Sequence, residues 1–177
     1  MFFEPLEDRR VLATIMVTSL TDGTLANLAG DGQISLREAI EAANTDTQVD
    51  GSTMGDGADT IIFDPALIAA SAEIGLSVVG DRSVGPSGLL ISSELSIVGD
   101  GITIKLDPSA SEEMRLFNIT AAGDLTIQQA TISGGIAHGG DGGDGDQGGG
   151  GAAGLGGAIF NRGSLTIRHS TLSGNLA

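Results

Sequence analysis

The chain has no cysteine, no tryptophan and no tyrosine, and only five phenylalanines among its 177 residues. Without cysteine there is no disulfide to staple the fold and no thiolate to hold zinc. Without Trp or Tyr, a β-sandwich centred on a buried aromatic is disfavoured, and an aromatic platform for sugar stacking is lacking. Basic side chains are scarce too: 8 Lys and Arg stand against 23 Asp and Glu, a formal charge of −15. That imbalance opposes attraction to phosphate backbones or anionic lipid, so nucleic acid is excluded as a partner. No apolar run approaches the length that spans a bilayer, so no transmembrane segment is expected.

What is present is glycine, at 29 residues, with a 40% hydrophobic content made mostly of small and branched aliphatics. Such a composition suits thin, repetitive packing, and a repeat is visible. "GDLTIQQATISGG" (123–135) aligns without gaps on "GSLTIRHSTLSGN" (163–175), with seven of thirteen positions identical. Each copy reads as a short alternating strand (Leu125 and Ile127; Leu165 and Ile167), two polar residues, and a second strand carrying Ile132 or Leu172. A glycine-rich insertion at 139–157 separates the copies; removing it from the offset of 40 leaves a unit of about 20 residues, within the solenoid range. "SELSIVGDGITIKL" (93–106) is a more diverged member, and "ADTIIFD", "EIGLSVVG" and "RLFNIT" add further short strands.

One stretch reads differently. In "DGQISLREAIEAAN" (31–44), Ser35 and Glu38 stand in the capping-box arrangement, which starts a helix at Leu36. Leu36, Ala39, Ile40 and Ala43 form its apolar stripe; Arg37 and Glu41 fall on the solvated side and Asn44 suits a left-handed stop. A helix of about ten residues needs a surface to lie on. The expected architecture is therefore all-β, a right-handed parallel β-helix of four or five coils. Its first coil is closed by this single N-terminal helix, with Ser35, Leu36, Glu38, Ala39, Ile40 and Ala43 as the structural cap.

"SLREAIEAAN" followed by "GADTIIFDPAL" resembles the opening module called CSLREA in bacterial surface and secreted proteins, with Ile34 where that module has Cys. "GGAIFNRGSLTIRHSTLSGNLA" is similar to β-helix repeats of the polymorphic outer-membrane-protein type, with Leu172 in place of the Phe of their "FxxN". "FEPLEDRRVLA" (3–13) resembles an N-terminal motif of large exported bacterial proteins. These resemblances imply a pectin-lyase-like solenoid, export, and an extracellular or cell-surface location. The expected division is an export-type motif or arm at 1–13 and one β-helix domain at 14–177. Within that domain 14–70 is the capping module and 71–177 the coils, with the repeat continuing in a longer protein.

Candidate chemistry is sparse. "HGGDGGDGDQGGGG" (138–151) places Asp141, Asp144 and Asp146 where they could gather calcium, but Asp146 sits where a β-roll nonapeptide needs a hydrophobic anchor, and there is one copy. "DTQVDG" (46–51) imitates half an EF-hand loop yet has Gly57 where the bidentate Glu belongs. Asp100, Asp107 and Asp124, with Arg115, Arg168 and Lys105, are the charges that a polysaccharide lyase or hydrolase could use on neighbouring coils; their spacing does not set them apart from surface charges. His169 replaces Gln129 of the other copy, which argues for a surface role.

The sequence thus predicts a non-catalytic, adhesive, structural or spacer module without a cofactor. The polysaccharide lyase or hydrolase is the alternative. Its expected partners are further coils or a second copy at the C-terminal edge, and a glycan or cell-surface ligand.

Overall fold

The computed structural model describes residues 12–69, 72–140 and 152–177. Twelve strands and three short helices follow in the order β1 (Thr14–Val17), α1 (Leu25–Leu28), α2 (Leu36–Thr45), β2 (Ala58–Phe63), α3 (Pro65–Ala69), β3 (Glu73–Leu76), β4 (Ser87–Ile91), β5 (Glu94–Val98), β6 (Thr103–Leu106), β7 (Arg115–Ile119), β8 (Asp124–Gln128), β9 (Thr131–Ser133), β10 (Ile159–Asn161), β11 (Ser164–Arg168) and β12 (Thr171–Ser173). The strands make three parallel sheets, ordered β1-β2-β5-β8-β11, β10-β7-β4 and β12-β9-β6-β3.

The expected fold class is corrected by this arrangement. The chain is not all-β with one helix, and not a single right-handed β-helix solenoid. Three helices alternate with strands of three separate parallel sheets, which is α/β-like. Two helices escaped the sequence reading because four or five residues are too few to display a helical period. Each has a local start signal nonetheless. Thr24 caps α1 by accepting the Asn27 amide, and Pro65 opens α3 at a position where its missing N–H costs nothing.

The repeat is reproduced as pairing in register. Leu125 faces Leu165 and Ile127 faces Ile167 across β8 and β11, while Ile132 faces Leu172 across β9 and β12. Extended backward, the first sheet carries the column Ile15, Ile61, Ile97, Ile127, Ile167, and the third carries Ile74, Ile104, Ile132, Leu172. The members before the last in each column are sealed in one apolar core. Burying each such side chain contributes about 1.5–3 kcal/mol. Between them, hydroxyl residues occupy the opposite face of the first sheet, as Thr14, Thr60, Ser96, Thr126 and Thr166. Asn175 ties the last turn to the one before, accepting from the Gly135 amide and donating to the Ile132 carbonyl.

Helix α2 has the expected capping box: the Ser35 hydroxyl accepts the Glu38 amide while the Glu38 carboxylate accepts the Ser35 amide at 2.9 Å. Its buried face, Leu36, Ala39, Ile40, Ala42 and Ala43, packs on β1, β2 and β4. Two readings of this helix change. Arg37 is buried rather than solvated, and the left-handed stop is Asp46, leaving Asn44 inside the last turn.

Candidate functional site

The residues that matter most to the edges of this structure lie at its two ends. At the N-terminal end, β4 pairs with β7 and its Ser87 bridges Asp81, and among the described residues no strand lies on its other edge, which would expose backbone groups. Side chains of α2 take the place of a neighbouring strand. Arg37 Nη1 donates to the Gly88 carbonyl at 2.6 Å, and Asn44 donates to the Leu90 carbonyl at 2.8 Å and accepts the Ser92 amide at 2.9 Å. Arg37 also donates to the Val78 carbonyl and, through Nε and Nη2, to both oxygens of buried Asp22. Asp22 in turn accepts the Ser77 and Val78 amides. A cleft of about 270 Å³ lies over this seam, lined in part by Arg37, Glu41 and Asn44. With its guanidinium shared among four bonds, Arg37 is a structural clamp rather than a group held ready for a ligand.

Arg37, Asn44 and Asp22 were missed as key residues. Arg37 and Asn44 are seven apart, two helical turns, so both project from one side of α2; that polar pair beside the apolar stripe was the available signal.

The C-terminal end is unlike this. Ile127 and Ile132 are 0% exposed, whereas their column partners Ile167 and Leu172 are 36% and 47% exposed, and Leu176 is exposed as well. β10, β11 and β12 are the edge strands of their sheets on this side. All 23 acidic residues precede this last segment, which carries Arg162 and Arg168. The result is an apolar, hydrogen-bond-capable surface with a basic character, on an acidic chain.

The charges considered for catalysis are dispersed. Asp100 sits at the turn between β5 and β6 in left-handed conformation, as do Gln129 and His169 at the matching turns. Asp107 accepts from the Ser109 amide and hydroxyl, which holds its carboxyl below the usual range. Asp124 opens β8 in register with Glu94 and Ser164. Lys105 pairs with Glu73 of the adjacent strand, Arg168 ends β11, and His138 pairs with Glu113. Among the described residues no group of three or more His, Cys, Asp and Glu is placed to hold a metal. The calcium candidates Asp141, Asp144 and Asp146 lie outside the described residues.

Of the cap residues, Ser35, Leu36, Glu38, Ala39, Ile40 and Ala43 are all buried where α2 meets β1, β2 and β4. No helix among the described residues is long and apolar enough to cross a membrane. Comparison with protein-family models, with curated proteins and with solved structures finds no match to the chain.

Proposed function

We propose that this chain is a non-catalytic module of an exported bacterial surface or secreted protein, with a structural, adhesive or spacer role. In this reading it works by joining, at its C-terminal edge, to further strands of the same pattern in a longer chain or in a second copy. The observation that carries the reading is the contrast between ends: side chains of α2 seal the β4 edge, while Ile167 and Leu172 lie open beside strand edges that have no partner among the described residues. Exposed edges of this kind pair with other strands unless something blocks them. The resemblance of the N-terminal residues to exported surface proteins supports the location.

Two measurements test this. Sedimentation velocity of the 177-residue chain should show concentration-dependent association, and Ile167→Lys with Leu172→Lys should return it to monomer. A monodisperse monomer at high concentration contradicts the edge role. Incubation with pectin, alginate and sulfated glycans, followed by ultraviolet absorbance and reducing ends, should yield no product; cleavage of any of them overturns the non-catalytic reading.

A further inference from the structure

The cleft over the seam between α2 and β4 has two charged residues in its lining, Arg37 and Glu41, one turn apart on the helix. The charge of Arg37 is already matched. Both oxygens of Asp22 accept from its Nε and Nη2, and the Gly88 and Val78 carbonyls accept two further hydrogens. Glu41 is different. It is half-buried, yet among the described residues its carboxylate has no ion-pair partner and accepts no hydrogen bond; the Thr45 hydroxyl beside it donates to the Glu41 backbone carbonyl instead.

Much of the remaining lining is apolar. Ile40 and Leu89, each 2% exposed, belong to the core, and Leu25, Val79 and Leu90 stand half-buried beside them. A carboxylate that loses part of its water without gaining a partner is relieved by a cation. A hard metal ion needs several oxygen ligands, and Glu41 is the one unmatched acid of this lining among the described residues. The complement of a single carboxylate beside an apolar wall is an organic cation with a hydrocarbon surface of its own.

We infer that this cleft binds a small amine, with its ammonium on the Glu41 carboxylate and its hydrocarbon body against Leu25, Val79 and Leu90. An ammonium offers three donors to a carboxylate whose lone pairs are spare, and the charge-assisted bond is the strong kind. The volume of about 270 Å³ suits one small molecule rather than a length of chain. A formal charge of −15 surrounds the molecule with a field that draws cations toward it, so encounter is assisted from outside the cleft. The site lies at the end of the molecule away from β11 and does not depend on the edge role proposed there.

The test is calorimetric titration of the 177-residue chain with phenethylamine, with 2-phenylethanol as the uncharged isostere and with ammonium chloride as the charge without the body. Phenethylamine should bind saturably, and each comparator at least about tenfold more weakly, because each lacks one of the two contacts. Glu41→Gln should weaken phenethylamine binding about tenfold and leave thermal unfolding unchanged, since the carboxylate holds nothing in the fold. Glu94→Gln removes an equal charge from the exposed start of β5 and should change binding by less than about twofold. Val79→Trp fills the cleft while keeping the carboxylate, and should abolish binding. Absence of wild-type binding, equal binding of the alcohol, or unchanged binding by Glu41→Gln overturns the inference. So does an equal loss in Glu94→Gln and Glu41→Gln, which is the result that diffuse charge attraction alone would give.

Discussion

Asp59 occupies the place that Leu95, Leu125 and Leu165 fill in the next three strands of its sheet. It is 2% exposed; Oδ1 accepts the Asp56 amide at 3.0 Å, and Oδ2 has no partner among the described residues. Burial pushes its carboxyl above the ordinary value. The charges of Asp46 and Asp56 add to the rise, while the amides of Asp56 and Ala13 oppose it. A carboxyl raised in the folded state favours folding when protonated. Its stabilising contribution is full below the unfolded pKa and is lost as pH rises through the folded pKa. Asp59→Asn keeps an acceptor for Asp56 and removes the charge. It should therefore raise stability at pH 7 by about 1 kcal/mol, with the gain shrinking toward pH 4, as followed by urea unfolding at several pH values. The same scale explains His169, whose φ of 50° matches Gln129 at 52° and Asp100 at 48°. The turn selects for tolerance of a left-handed backbone, not for an imidazole. His169→Val should cost about 1–2 kcal/mol in thermal unfolding, and His169→Gly should cost nothing.

Helix α2 acts on the fold as an edge substitute. Removing one member of a buried ion pair leaves the other uncompensated, so Arg37→Gln, which strands Asp22, should cost about 3–5 kcal/mol in denaturant unfolding. Asn44→Ala leaves the Leu90 carbonyl and Ser92 amide unsatisfied and should cost about 1–3 kcal/mol. Faster amide exchange at Ser92 would place the damage at this seam rather than in the helix itself. The capping box and apolar stripe were legible because both depend on residues within one or two turns. The roles of Arg37 and Asn44 were not, because their backbone partners lie 41 to 51 residues away along the chain and the carboxylate of Asp22 lies 15 away. A charged residue on the flank of an apolar stripe reads as solvated until the strand beside it is known.

Across the whole molecule, the parallel register of residues 123–135 on 163–175 was readable from identity at a fixed offset, and the alternation of aliphatics identified the buried column. Fold class was not. Helices α1 and α3 are single turns set by local caps, and a repeat found in the C-terminal half says nothing of what alternates with strands in the N-terminal half. Of the candidate charges, the sequence held Arg115 level with Arg168. The burial of Arg115 separates them.

The plug at β4 and the bare strands at β11 also give the molecule a direction. A strand approaching β4 would have to evict Arg37 and Asn44 from its carbonyls, whereas among the described residues no strand or side-chain clamp lies on the outer edge of β11. Strands added by duplication in the gene would therefore find an open edge beside β11 and an obstruction beside β4.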